Sequence, residues 1–293
     1  MADYTGVYVY IHIPEGENPA DYTVVTQPNN SLYDPIPSQN VALNKLGSAQ
    51  RSIGDRTATF YRIDAIHAAS VELMDSVVVT LKKNGVTVHE ETFTVAEIIE
   101  ERLASGTLEP KREKLNRALL QYGRYAQIRF EHNTDNLPPV DPEAPALTLI
   151  PDTYAASGDP TNFSSYIAKF EAKIEMAESV RMNIYLTPAS GYSINDFVIT
   201  VTDAAGNVYT DVSKPVQAGT KYAFRIMGIL SPDMDLDFHI TVALKSDPTK
   251  TATWTRSLIT CAYENYKAAT TDARRNLMMA LYQYFLAAKD RFN

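Results

Sequence analysis

Apolar and polar residues alternate with a period of two along a series of short stretches, and each half of the chain then switches to a period near 3.6. Val7–Ile13 alternates as a strand, and Asp21–Thr26 continues the pattern after a Gly/Pro turn. Thr59–Ile63 and Ser76–Leu81 follow as strands. Lys83-Asn84-Gly85-Val86 predicts a two-residue hairpin, because Asn-Gly accepts the positive φ of a type I′ turn, so Val86–Thr94 returns antiparallel to the strand before it. Val95–Leu103 predicts a first helix, broken at Ser105-Gly106-Thr107. A second opens near Pro110, a residue suited to a first helical turn, and runs to about Glu131. Its apolar stripe is Leu115, Ala118, Leu119, Tyr122, Ala126 and Phe130.

The second half repeats this order. Met182–Leu186, Asp196–Thr202, Lys221–Ile226 and His239–Leu244 predict strands, with a hairpin turn at Asp203–Asn207. Helices are expected near 256–268 and 272–292, the latter capped by Thr271. LNRALLQYGRYAQIRF (115–130) and LMMALYQYFLAAKDRF (277–292) share eight of sixteen residues, among them Tyr122/Tyr284, Arg129/Arg291 and Phe130/Phe292. Upstream, 61–83 aligns without a gap on 224–246, and Phe93 falls beside Trp254 in TFT and TWT, a matched position that points to packing. Similarity at this spacing indicates two copies of one unit rather than a short-period solenoid. The expected fold is therefore α+β: two tandem copies of an antiparallel β-sandwich-like unit, each followed by a helical pair. Residues 1–137 form the first copy and 148–293 the second. The Pro-rich linker 138–147 joins them, its four prolines (Pro138, Pro139, Pro142, Pro145) favouring a semi-rigid spacer.

Two segments break the symmetry. The polar stretch 27–55 is much longer than its counterpart 203–219, and long insertions of that kind carry function or mobility. Ile167–Met176 alternates Lys169, Glu171 and Lys173 against Phe170, Ala172 and Ile174, predicting a strand ahead of Val180–Leu186. The first copy has no such opening strand. Val7, Val9, Ile11 and Ile13 should therefore lie on an open sheet edge, and exposed edges invite pairing with another chain.

Composition narrows the function classes. A net charge of −8 and a pI near 5.2 lack the basic footprint of a nucleic-acid binder. No apolar run approaches the ~20 residues that span a bilayer. The N-terminus shows no basic stretch, apolar core or small-residue cleavage site of a secretory signal.

ALLQYGRYAQIRFEHNTDNL (118–137), with the upstream YRIDAIHAASVELMDSVVVTL, resembles an uncharacterised repeat module of large clostridial and ruminococcal surface proteins. In that module a β unit ends in a helix of the form LLxYGxxAQxxFxxNTDxL. The resemblance covers about 55–137 well and 165–292 more loosely: Gly123 becomes Phe285, Gln127 becomes Lys289, and no NTDNL follows. It implies repetitive, non-catalytic extracellular architecture. Met1, the lack of an export signal and the host-surface-like modules together raise a phage-particle version of the same reading.

Candidate chemistry is sparse. The chain has no HExxH, CxxC, GxSxG, GxxxxGK[ST] or GxGxxG, and its five histidines are scattered. Asp233, Asp235 and Asp237 are weak calcium candidates, lacking a glycine in the run and a distal bidentate Glu; a solvated approach to the next strand competes with that reading. Cys261 lies in an apolar context and reads as a small core residue. Neither a catalytic set nor a cofactor is expected. The expectation is a structural or attachment protein at a cell surface or in a virion, assembling through protein partners or itself. The eighteen tyrosines keep a carbohydrate-binding module, directed at a host-surface glycan, as the alternative.

Overall fold

The computed structural model describes residues 5–13, 16–28, 39–41, 50–53, 56–156, 163–176 and 180–292. It is a mixed α+β fold of antiparallel sheets and four helices. The first half runs β1 (Thr5–His12), β2 (Tyr22–Pro28), β3 (Gln39–Asn40), β4 (Gln50–Ile53), β5 (Arg56–Ala68), β6 (Val77–Lys83), β7 (Val86–Phe93), α1 (Val95–Ala104) and α2 (Pro110–Phe130). The second runs β8 (Ile167–Met176), β9 (Val180–Pro188), β10 (Phe197–Asp203), β11 (Val216–Ala218), β12 (Lys221–Ile226), β13 (Phe238–Leu244), β14 (Asp247–Arg256), α3 (Leu258–Lys267) and α4 (Asp272–Phe292).

Local chemistry explains most of these boundaries. Asn84 and Gly85 both hold positive φ (50° and 83°), the geometry that joins β6 to β7. Thr94 caps α1 through a reciprocal box with Glu97: Glu97 N–H donates to Thr94 Oγ1 at 3.0 Å, and Thr94 N–H donates to Glu97 Oε2 at 2.7 Å. Ser257 caps α3 by accepting from Thr260 N–H at 3.0 Å. Pro110 opens α2, and Glu131, left-handed at φ 55°, closes it.

Neighbours in sequence are not always neighbours in a sheet. β1 and β2 lie in different sheets, ordered β1-β5-β4 and β3-β2-β6-β7. The second half is ordered β11-β12-β9-β8 and β10-β13-β14. The order β1-β5-β4 thus reappears as β9-β12-β11 with β8 added, and β2-β6-β7 reappears as β10-β13-β14.

Alternation places one face of each strand inside. Phe238, Ile240, Val242 and Leu244 of β13 are buried, with the residues between them half-buried. One core gathers Val24, Ile63, Leu73, Val77, Val95 and Leu120; the other gathers Met182, Ile184, Phe224, Ile226, Ile240 and Phe285. Tyr122 and Ala126 of α2 belong to the second core, whereas Leu120 belongs to the first. α2 therefore carries a second buried face, Leu120, Gly123 and Gln127, beyond the expected stripe. Phe130, expected on that stripe, is instead about half exposed at the last position of α2.

The gapless alignment of 61–83 on 224–246 is corrected by the sheets. Ser70–Glu72 and Ser231–Asp233 form equivalent short helical turns, and β6 and β13 start in step with that offset. Ala96 N–H donates to Leu73 O at 2.8 Å, and Ile259 N–H to Met234 O at 3.0 Å, fixing Leu73 and Met234 as counterparts. Beyond the strand, the second hairpin is longer. Leu81 faces His89, eight residues on, whereas Val242 faces Ala252, ten residues on. Phe93 therefore corresponds to Arg256, opposite Phe238, and Trp254 faces Ile240 instead. Most of the polar 27–55 stretch lies outside the described residues; Gln39–Asn40 pairs with β2, and Gln50–Ile53 with β5.

Candidate functional site

The repeated text of the two helices resolves into one junction. α2 and α4 run antiparallel: Lys114 Nζ near the start of α2 lies 3.1 Å from Asp290 Oδ2 near the end of α4. At the centre the equivalent residues Tyr122 and Tyr284 stack on each other. Tyr284 Oη lies 2.9 Å from Ser231 Oγ. Ser70 stands at the same place beside Tyr122, but without the geometry of a good hydrogen bond. Burial pushes both phenols up from their ordinary value.

The remaining letters of the helix pattern hold the first half to its exit. A Cβ on Gly123 would come within 2.5 Å of Leu73 Cδ1 and 2.9 Å of Ser70 O, so only glycine lets α2 approach that turn. Gln127 is fully buried and donates to Asn136 O at 3.1 Å and Asn133 O at 3.3 Å. Asn133 Nδ2 donates to Asp75 Oδ1 at 3.0 Å, while His132 Nε2 sits 2.8 Å from Asp75 Oδ2. Arg124 reaches Pro138 O at 2.6 Å, and Arg117 pairs with Asp141 and Glu143, so the proline-rich segment is tied along α2. These residues close a fold element.

The calcium candidates do not converge. Asp233 closes a short turn through its N–H to Leu230 O at 2.9 Å, Asp235 pairs with Lys289, and Asp237 is exposed. Among the described residues no three His, Cys, Asp or Glu side chains gather as a metal site. Cys261 is fully buried, its Sγ 3.8 Å from Met182 Sδ, and burial pushes its thiol up to about 12. Trp254 is buried and stacked on Phe170, ring centroids 4.6 Å apart, so it offers no open face to a sugar. Among the described residues no helix is long and apolar enough to cross a membrane.

At the β1 edge, Val7, Ile11 and Ile13 turn their side chains into the core, and Val9 is half-buried. Ile13 lies just past the strand end. What these positions offer a partner is backbone. Among the described residues β1 has one strand neighbour, β5, whereas its counterpart β9 lies between β12 and β8. β8 begins at Ile167 and ends at Met176, the expected bounds. A bulge between Ile167 and Lys169 returns Ile167 to the buried side. On the outer face Glu171 is ringed by Lys221 of β12, Lys169 at 3.1 Å and Lys173 at 3.7 Å. Chiefly through the hydrogen bond from Lys221, its carboxyl is held down to about 2. That cluster ties β8 to a strand two places away.

No known protein family, curated protein or solved structure matches this chain.

Proposed function

We propose that the chain is a non-enzymatic structural or attachment protein acting outside the cell, as a bacterial surface component or a part of a phage particle. In this reading it comprises two tandem β-sandwich-like units, each closed by a helical pair, and it assembles through protein–protein contacts. The observation that supports it is the difference between β1 and β9: among the described residues the same strand position has a strand on both sides in the second half and on one side in the first. A strand with a free side is a template for pairing, and folded proteins otherwise blunt or cover it. The proposed contact is a strand from a neighbouring subunit or partner protein laid along the Thr5–Val9 stretch, as β8 lies along β9.

Hydrogen–deuterium exchange on the full chain, isolated and within its native cells or particles, tests this. The Thr5–Val9 amides should exchange faster than those of β9 in the isolated chain and become protected in the assembled state. Equal protection in both states, or robust turnover of a substrate abolished by one substitution, would end the proposal.

A further inference from the structure

The two ends of the α2–α4 pair occupy equivalent places in the repeat, yet their charges differ. At one end Glu109, the residue that caps α2, lies 3.5 Å from Arg291 Nε, and Asp290 receives Lys111 and Lys114 at 3.2 and 3.1 Å. That end is closed by carboxylates of the chain itself. At the other end the residues equivalent to Glu109 and Asp290 are Thr271 and Ile128. The arginine equivalent to Arg291 is Arg129, and among the described residues no carboxylate lies within ion-pair distance of it. Its guanidinium carbon lies 5.7 Å from the ring centroid of its neighbour Phe130. Arg274, in the first turn of α4, donates through one nitrogen to Asn265 Oδ1 at 2.5 Å and likewise has no carboxylate partner among the described residues.

A cavity of about 560 Å³ opens at this second end, with Arg129, Arg274 and Asn183 on its polar side and Phe130, Met176 and Met278 on its apolar side. Its one carboxylate among the described residues, Glu175, is engaged by Arg225 Nε at 2.8 Å. The volume falls in the range of small-molecule clefts, and apolar walls with a few placed polar groups are what such clefts present. With a net charge of −8 the chain as a whole repels anions, so two guanidinium groups in one cleft, neither paired with a carboxylate among the described residues, are a local feature.

We propose that this cleft binds a small organic carboxylate. Its carboxylate would take at Arg129 the place that Glu109 takes at Arg291, with Arg274 as a second donor and the body of the ligand against Phe130, Met176 and Met278. Arginine suits this role because its planar fork meets a carboxylate with two parallel hydrogen bonds. The inference rests on the cleft alone and stands or falls independently of the β1 edge.

Calorimetric or NMR titration of the full chain with benzoate and with glucuronate, against benzyl alcohol and methyl glucoside, tests it. At least one of the two acids should saturate a single site with a Kd of about 1 mM or below, and its uncharged counterpart should bind at least tenfold more weakly. Which acid binds more tightly separates an aromatic from a sugar-acid ligand. Arg129→Gln should weaken binding tenfold or more. Thr271→Glu, which rebuilds the pairing of Glu109 with Arg291, should abolish it, while the uncharged Thr271→Gln, with an unchanged circular dichroism spectrum, keeps it. Binding of the uncharged analogues as tight as that of the acids would overturn the proposal. So would unchanged binding in Arg129→Gln and Thr271→Glu, or no saturation by either acid up to about 20 mM.

Discussion

The rings of Tyr122 and Tyr284 stack with centroids 5.7 Å apart and planes 14° from parallel, and these two residues hold the same position in the two copies of the repeated helix. Equivalent residues that meet each other, on helices that run antiparallel, define a local two-fold relation. The ion pairs of Lys111 and Lys114 with Asp290 break that relation, because Ile128 holds the place of Asp290 at the other end. Isologous contact like that of the two tyrosines is the way two copies of one surface pack. It also gives the most repeated text of the chain a packing role.

The two hydroxyls of this pair should behave differently. Tyr284→Phe removes the 2.9 Å bond to Ser231 and leaves that hydroxyl without its partner, so it should cost about 1 kcal/mol in chemical denaturation. Tyr122→Phe, where no such bond is well formed, should lie within about 0.5 kcal/mol of the wild type. Equal losses in the two variants would show that Ser70 bonds Tyr122 as Ser231 bonds Tyr284.

Gly123→Ala should destabilise despite a gain in helix propensity of about 1 kcal/mol. The new methyl would meet Leu73 Cδ1 at 2.5 Å and Ser70 O at 2.9 Å, and the carbonyl cannot move without disturbing the turn that starts at Ser70. Overpacking of this kind costs about 1–3 kcal/mol, so the melting temperature should fall. A rise would mean that α2 sits further from that turn.

Glu171 supplies a pH signature. Its carboxyl is held down to about 2 in the fold, chiefly by Lys221, so its contribution is complete above the ordinary Glu value and is lost as the pH falls from there towards 2. Glu171→Gln should therefore cost about 1 kcal/mol at pH 7, the screened worth of a partly exposed cluster, and almost nothing near pH 2. Thermal melts of both proteins across that window check it; a difference that did not shrink with acid would place the stabilisation elsewhere.

Gln127→Leu keeps the volume but removes the donor that holds Asn133 O and Asn136 O. Loss of about 1–3 kcal/mol is expected. Exchange should rise first at the amides of Asn133 and Asn136, since the turn they form is what Gln127 closes.

Much of the fold was legible along the chain, because it depends on local chemistry. Asn84-Gly85 can hold a turn that few pairs can, Pro110 suits a helix start, and the strand expected over Ile167–Met176 is β8 with the same bounds. Tertiary structure decided what depends on distant partners. β1 and β2 read as consecutive strands but enter different sheets, since each pairs with a strand some forty to sixty residues away, β5 or β6. The match of Phe93 to Trp254 failed because two extra residues in one hairpin shift the ladder, and apolar strand text looks alike in either register. Asp233, Asp235 and Asp237 are close in sequence yet form no metal site among the described residues, and Asp235 meets Lys289. Arg129 gave no sign at all: it is one of many helix-end arginines until the fold sets it in one cleft with Arg274, while its counterpart Arg291 meets Glu109. Periodicity reports the face a residue turns, and only the packed chain reports which charges that face is left to meet.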